Sequence, residues 1–125
     1  MMPRRGKRIL YVEDYNDARE VLPLLLPGYE VVTAANFDEG LCLALSQSFD
    51  LYLLDSWLPG GSGQELCRQI RGFDPHTPIV FYSSVPFDEN RREAMVAGAQ
   101  AYLPKPCDFE ELAATISLLI GEEAK

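Results

Sequence analysis

The sequence predicts a single α/β domain in which five strands form a doubly wound parallel sheet and five helices flank it. Two patterns predict this fold class. Short apolar runs alternate with helical patterns along the chain, and four of the helical patterns begin at a capping signal. With 125 residues, of which 47% are hydrophobic and 24% charged, the chain has the size and composition of one globular domain.

The strand candidates are short apolar runs. They cover residues 8–12, 30–34, 51–54, 79–82 and 101–103. The runs at 51–54 and 79–82 are apolar at every position, which favours strands that helices cover on both faces. Strict alternation with helices makes the crossovers between parallel strands right-handed.

The helix candidates carry start and stop signals. The start signals, a capping residue followed three positions later by Glu, are Asp17 with Glu20, Asn36 with Glu39, Ser62 with Glu65 and Asp108 with Glu111. The stop signals are Pro27-Gly28, Gly72 and Gly98. The fourth helix is expected at about residues 88–97. Pro23 and Pro27 should keep the first helix short or kinked.

Composition and charge exclude several classes of function. The net charge is −8, and no basic patch stands out beyond the N-terminus, so nucleic-acid binding by this domain is disfavoured. The N-terminal cluster, expected to be a solvated tail, consists of Arg4, Arg5, Lys7 and Arg8. No window approaches the roughly 18 apolar residues that span a bilayer, and no signal peptide is evident, so we expect a cytoplasmic protein without membrane contact.

The expected organisation is a basic tail at residues 1–7, one domain at 8–121 and a C-terminal tail at 122–125. The three cysteines, Cys42, Cys67 and Cys107, are scattered and have no CxxC partner. We therefore expect reduced thiols in or near the core, and neither a disulfide framework nor a zinc site.

Polar side chains follow four of the five apolar runs. Glu13 and Asp14 come after the first run, Asp55 after the third, Ser83 and Ser84 after the fourth, and Lys105 after the fifth. Ligands of open parallel sheets bind outside the carboxyl ends of the strands, near the point where the strand order reverses. We therefore expect these side chains to converge at one edge of the sheet.

Three acids, a hydroxyl and a lysine at one edge indicate phosphoryl chemistry at a metal ion. Carboxylates packed together repel one another unless a cation joins them, and a few oxygen ligands that leave room for water suit Mg²⁺. An Asp carboxylate is a nucleophile that forms an aspartyl phosphate. Phosphoryl transfer then needs neutralisation of the equatorial oxygens, which a Lys ammonium and a Ser hydroxyl can supply in part.

Four motifs occur together along the chain. They are Val12-Glu13-Asp14, Leu53-Leu54-Asp55-Ser56-Trp57-Leu58-Pro59-Gly60, Ile79-Val80-Phe81-Tyr82-Ser83-Ser84 and Gly98-Ala99-Gln100-Ala101-Tyr102-Leu103-Pro104-Lys105-Pro106. In combination they closely resemble the response-regulator receiver family of two-component signalling, over residues 8 to 120. The resemblance implies a flavodoxin-like sheet with strand order 2-1-3-4-5.

The resemblance also implies roles for individual residues. Asp55 would accept a phosphoryl group from a sensor histidine kinase or a phosphotransfer protein, and the chain would be a signalling switch and not an enzyme. Asp14 and Asp55 would bind Mg²⁺, with Mn²⁺ as a possible substitute. Glu13 would contact the metal directly or through water, and the backbone carbonyl of Trp57 would be a further ligand. Glu13 stands where the family more often has Asp.

The phosphate-binding and switch residues follow from the same resemblance. Ser83, in place of the commoner Thr, and Lys105 would contact the phosphoryl group, and the Lys105–Pro106 bond would be cis. We hypothesise that Ser83 moves inward on phosphorylation and that the ring of Tyr102 enters the space it leaves. The surface of the fourth helix, fifth strand and fifth helix would change for an unknown downstream protein, and a homodimer is possible.

Three other functions fit the sequence less well than a receiver domain. A phosphatase of the haloacid-dehalogenase type needs Asp-x-Asp, whereas the triplet here is Asp55-Ser56-Trp57. A flavodoxin-like cofactor binder needs a Gly/Ser/Thr-rich loop after the first strand, where the acidic Glu13-Asp14-Tyr15 stands. A receiver-like interaction module that is not phosphorylated should lack one of the acids or the lysine, and none is missing.

Overall fold

The computed structural model describes residues 6–84, 88–105 and 109–121. Its elements in chain order are β1 (Lys7–Val12), α1 (Asn16–Leu25), β2 (Tyr29–Ala34), α2 (Phe37–Ser46), β3 (Leu51–Leu54), β4 (Trp57–Leu58), β5 (Gly61–Ser62), α3 (Gly63–Arg71), β6 (Ile79–Ser83), α4 (Asp88–Ala97), β7 (Ala101–Pro104) and α5 (Phe109–Ile120). In these residues, no helix combines the length and the apolarity needed to cross a membrane.

One parallel sheet of five strands dominates the described part of the chain, in the order β2-β1-β3-β6-β7. This confirms the predicted order 2-1-3-4-5, because β6 and β7 are the fourth and fifth of the predicted strands. The order reverses between β1 and β3, which pair directly, with Val12 opposite Leu54. The carboxyl ends of β1 and β3 therefore lie side by side at the switch point of the sheet.

Both faces of the sheet are covered by helices, as the apolar runs predicted. Alternate side chains of the central strands join two separate apolar clusters. One cluster includes Leu10, Val12, Leu54 and Phe81 with residues of α2, α3 and α4, and the other includes Ile9, Leu53 and Val80 with residues of α1 and α5. Each fully buried side chain of this kind contributes about 1.5–3 kcal/mol by leaving water.

Two of the predicted helix starts are confirmed by side-chain caps. The Asn36 side chain accepts a hydrogen bond of 2.8 Å from the Glu39 N–H at the start of α2. The Ser62 hydroxyl accepts one of 3.0 Å from the Glu65 N–H at the start of α3. Each cap satisfies a backbone donor that the helix itself leaves without a partner.

Helix α1 begins differently from its prediction. Its first residue is Asn16, and the side chain of the preceding Tyr15 makes no cap bond, so Asp17 lies in the first turn and does not cap the helix. In the first turn its negative charge still favours the positive end of the helix dipole. The helix contains Pro23 but, contrary to the prediction, is no shorter than α2 or α4, each of which also has 10 residues. The predicted start signal at Asp108 lies outside the described residues.

The predicted basic tail reaches into the fold. Strand β1 begins at Lys7. We expected Arg8 to be solvated, but its side chain contacts other residues of the fold. The Arg8 guanidinium lies 4.8 Å from the ring centroid of Phe49 and 3.3 Å from the Glu30 carboxylate. Arg8 belongs to the strand because its backbone pairs with β2 opposite Glu30, and its charge is partnered by an aromatic face and an acid.

Of the cysteines, Cys67 is buried, as expected, and burial raises the pKa of its thiol to about 11. Cys42 is exposed, contrary to our expectation, because it lies on the opposite side of α2 from its buried residues, Phe37, Gly40 and Ala44. Both are free thiols. Cys107 lies outside the described residues.

A short hairpin between β3 and α3 was not predicted. β4 and β5 pair antiparallel across Pro59-Gly60, and Gly60 has φ +93°, which suits the third position of a type II turn. The hairpin leads into Gly63, which lies against the backbone that carries Asp55. A Cβ at Gly63 would lie 1.9 Å from the Asp55 carbonyl oxygen. Only glycine permits this close approach.

We predict that Gly63→Ala lowers the free energy of unfolding by about 2 kcal/mol or more, because the new methyl group would overlap backbone and not a flexible side chain. Urea unfolding measures the change. Gly28→Ala is the control, since a Cβ there meets nothing within 4 Å, and we expect it to change stability by less than about 0.5 kcal/mol. Equal effects of the two substitutions would contradict the close approach.

Candidate functional site

Three carboxylates meet where β1 and β3 end. Glu13 and Asp14 follow β1, Asp55 follows β3, and one oxygen of each lies within 4.8 Å of the others. The parallel pairing produces this convergence, since the Asp55 N–H continues the ladder by donating to the Val12 carbonyl at 3.1 Å. The sheet thus brings together acids that are far apart in sequence, as their positions after the apolar runs predicted.

The acidic cluster fits a small divalent cation. Oxygen ligands about 2.1 Å from Mg²⁺ lie about 3 Å apart when adjacent and about 4.2 Å apart when opposite. The three carboxylate oxygens lie within 4.8 Å of one another, which is close to this range. Asp14 is exposed, whereas Glu13 is buried and Asp55 is half-buried. A donor set of carboxylates alone suits a hard cation.

Glu13 is held on both carboxylate oxygens by donors of the protein. Its Oε1 accepts hydrogen bonds from the Lys105 ammonium and, at 3.4 Å, from the Tyr11 hydroxyl, while Oε2 accepts from the Tyr15 N–H at 3.0 Å. Burial opposes the charged form, but the bonds from Lys105 and Tyr15 outweigh it and lower the pKa of Glu13. Glu13 is therefore a fixed negative charge at the base of the site.

Asp55 is in a different electrostatic environment. Its Oδ1 accepts the Ser56 N–H at 2.7 Å, and its Oδ2 lies 3.7 Å from the Lys105 ammonium. Burial raises the pKa of Asp55 to about 6, with the charge of Glu13 adding to the rise and Lys105 opposing it. A cation placed among the acids would favour the charged carboxylate, which is the nucleophilic form.

Lys105 and Ser83 lie at the same edge on neighbouring strands. The Lys105 N–H donates to the Ser83 carbonyl at 2.8 Å, and the Lys105 ammonium lies 5.3 Å from the ring centroid of Tyr82. Ser83 is fully buried at the end of β6. The structure thus brings Lys105 to both Glu13 and Asp55, while the predicted contact between Ser83 and a phosphoryl group stays a prediction.

The remaining predicted residues surround this centre. The ring of Tyr102 stacks on that of Phe81, with centroids 5.9 Å apart and planes 13° apart. Trp57 begins the hairpin two residues after Asp55, and its side chain is 66% exposed. The predicted role of its carbonyl as a metal ligand stays a prediction. Pro106, and with it the predicted cis bond, lies outside the described residues.

Sequence reasoning missed four residues that shape the site. They are Tyr11, Arg19, Ser56 and Gly63. Tyr11 precedes Glu13 by two positions and shares its strand face, so a tyrosine in an otherwise aliphatic run was an available signal. Arg19 donates to the Glu13 carbonyl at 2.7 Å. That bond depends on how α1 docks on the sheet, for which the sequence has no local signal.

Comparison with known proteins agrees with this geometry. The family model described as the response regulator receiver domain matches residues 9–117. The chain belongs to the response regulator receiver domain family. The transcriptional regulatory protein ResD of Bacillus subtilis (strain 168) is 34% identical over 115 residues, which cover 90% of this chain and 48% of that protein. The response regulator ArlR of Staphylococcus aureus (strain Mu50 / ATCC 700699) is 36% identical over 118 residues, which cover 93% of this chain and 53% of that protein.

This receiver domain spans about half the length of the curated relatives it matches. Among solved structures, a CheY-like receiver domain protein from Methanospirillum hungatei JF-1 has a TM-score of 0.89 at 32% identity, covering 94% of this chain and 95% of that one. The receiver domain of the sensor histidine kinase PA1611 from Pseudomonas aeruginosa PAO1 has a TM-score of 0.85 at 30% identity, covering 93% and 98%. That structure holds a magnesium ion coordinated in its active site cleft.

We predict that Asp55→Asn stabilises the metal-free receiver domain at neutral pH by on the order of 2 kcal/mol. A raised pKa means that folding favours the protonated acid. The wild type therefore loses stability as the pH rises from about 4 through about 6, and the Asn variant does not lose this contribution. Urea unfolding in EDTA across this range should show a gap that widens with pH.

The control for this measurement is Asp38→Asn, which removes an exposed carboxylate on α2. It is measured under the same conditions and over the same pH range. A gap for Asp55→Asn that widens with pH no more than the gap for Asp38→Asn would contradict the electrostatic environment described for Asp55.

Proposed function

We propose that this receiver domain accepts a phosphoryl group on Asp55 from a histidine kinase or a phosphotransfer protein, in a reaction that depends on Mg²⁺. One observation carries the proposal. The Asp55 carboxylate lies 3.7 Å from the Lys105 ammonium, and one of its oxygens is within 4.8 Å of oxygens of Glu13 and Asp14. A carboxylate nucleophile between a fixed positive charge and a cation-binding pair of acids is what phosphoryl transfer to Asp needs.

In the proposed reaction, a carboxylate oxygen of Asp55 bonds to the phosphorus of a phosphohistidine as the phosphorus–nitrogen bond breaks, and the imidazole keeps the electron pair. Lys105 is close enough to Asp55 to donate to an equatorial phosphoryl oxygen. Mg²⁺, when bound, would supply charge neutralisation for further phosphoryl oxygens. Asp14, Asp55 and the Trp57 carbonyl would hold the metal, with Glu13 directly or through water. Mn²⁺ is a substitute with similar ligand preferences.

We propose the α4–β7–α5 face as the output surface. Ser83 would follow the phosphoryl oxygens, and the ring of Tyr102 would follow Ser83, so that this face presents a different surface in the phosphorylated state. A downstream protein or a second copy of the chain would bind it. The domain itself would bind neither nucleic acid nor membrane, and it would act in the cytoplasm as a switch, not as an enzyme.

The alternative of a receiver-like module that is not phosphorylated is less favoured. It would tolerate loss of the nucleophile, the acids or the lysine, whereas this chain keeps Asp55, Glu13, Asp14 and Lys105 close together. The domain spans about half the length of the relatives ResD and ArlR. What a whole protein containing it does downstream is therefore also a proposal.

We predict that the folded domain gains the mass of one acid-labile phosphoryl group when incubated with acetyl phosphate and Mg²⁺, and that Asp55→Asn abolishes this gain. Intact-protein mass spectrometry measures it. Asp38→Asn keeps the site and should be labelled like the wild type. Labelling of Asp55→Asn at the wild-type level would disprove the assigned nucleophile. If a folded wild-type sample gains no mass from acetyl phosphate or from a phosphorylated histidine kinase, the proposed function is wrong.

We also predict that Mg²⁺ alone changes the fluorescence of Trp57, the single tryptophan of the chain, because a metal ligand at its carbonyl would fix the hairpin that carries the ring. The titration should saturate with one ion per chain. Asp14→Asn, which removes a proposed ligand at an exposed position, should weaken the apparent affinity by about tenfold or more. A flat titration of folded wild type would argue against this metal site.

A further inference from the structure

The residue after the proposed phosphoacceptor touches the proposed switch aromatic. The Ser56 hydroxyl lies 3.4 Å from the Tyr102 hydroxyl, and either group can be the donor. The two residues come from β7 and from the segment that follows β3, which lie on opposite sides of β6 in the sheet. This contact is therefore a direct connection across the sheet edge, from the phosphorylation site to the output face.

The Ser56 side chain is held in a fixed position. Its residue is fully buried, its N–H donates to the Asp55 carboxylate at 2.7 Å, and its carbonyl accepts the Gly63 N–H at 2.8 Å. Because the residue has no contact with solvent, its neighbours limit the positions that the hydroxyl can take. At 3.4 Å the contact with Tyr102 is a long hydrogen bond, which still restricts where the Tyr102 hydroxyl lies.

Its partner is positioned from the other side by an aromatic ring. Tyr102 lies opposite Phe81 in the register of β6 and β7, and the rings stack with planes 13° apart. Phe81 is fully buried in the core, so its packed neighbours limit how far its ring can shift. The Tyr102 ring is therefore packed along Phe81 and held at its hydroxyl end by Ser56, which together define the inward position of a half-buried ring.

We propose that Ser56 is a positioning residue for the switch, whose hydroxyl holds the ring of Tyr102 inward against Phe81 and so joins the phosphoacceptor segment to the α4–β7–α5 face. The effect of Ser56 on signalling rests on the proposed function. The contact between Ser56 and Tyr102 is present without phosphorylation. Because Ser56 also donates to the Asp55 carboxylate, a change at Asp55 reaches Tyr102 through one residue. Coupling of this kind is reciprocal.

The test compares Ser56→Ala, Tyr102→Phe and the double variant with the wild type. In unphosphorylated protein, NMR cross-relaxation between the rings of residue 102 and Phe81 reports the population of the inward position. Phosphorylation would raise this population further, and each single variant should lower it. In the presence of Mg²⁺, the concentration of beryllofluoride that half-saturates the domain should rise about two- to tenfold in each single variant, which is the range one hydrogen bond supplies. The double variant should be no worse than either single variant.

Ser46→Ala is the control, since it removes an exposed hydroxyl at the end of α2, and both measurements should stay at their wild-type values. Unchanged cross-relaxation in Ser56→Ala overturns the proposal, as does a double variant whose loss is the product of the single losses. Tyr102→Phe keeps the ring at a half-buried position, so it gives a folded sample even if Ser56→Ala does not. If the domain fails to bind beryllofluoride, the proposed function fails, whereas the NMR comparison still decides the role of Ser56.

Discussion

The interaction on which the site depends is the Lys105 ammonium between two acids, Glu13 and Asp55. The pairing of β1 with β3 brings these carboxylates together at a buried edge, where their mutual repulsion and loss of water both oppose the charged state. A lysine in contact with Glu13 and 3.7 Å from Asp55 compensates for that cost in the absence of a cation. Removal of the lysine from this cluster would leave two acids without their countercharge, which is far more costly than a lost surface ion pair.

The two acids are nevertheless unlike, and the difference assigns them different tasks. Glu13 receives donors on both oxygens, from Lys105, Tyr11 and the Tyr15 N–H, and its pKa is lowered. Asp55 receives one backbone donor and a more distant lysine, and its pKa is raised. An acid saturated with donors is a poor nucleophile and a good fixed charge. In the proposed reaction, the less satisfied acid would gain most from a cation and would be the nucleophile.

The sequence predicted those parts of the fold and site that follow from local pattern. Strand periods, caps at Asn36 and Ser62, and the placement of polar residues after apolar runs all depend on neighbours in the chain. Together with the family resemblance they gave the sheet order and the acidic cluster. The contacts of Ser56 with Tyr102 and of Arg8 with Phe49 depend on the distance between elements remote in sequence, which no local period encodes. The start of α1 was misplaced because no side chain caps it there.

The segment after β3 explains why a signal from Asp55 should travel across the sheet. Gly63 lies against the Asp55 carbonyl, and its N–H donates to the Ser56 carbonyl at 2.8 Å, so the two ends of the loop are tied together. Far from the site, the Arg71 guanidinium donates to the Gly98 carbonyl at 2.9 Å and fixes the turn that leads into β7. Packed interiors move between discrete arrangements and do not deform continuously. With the loop and that turn both held in place, the proposed change at Asp55 would be accommodated along β6 and β7, where Tyr102 pairs with Phe81.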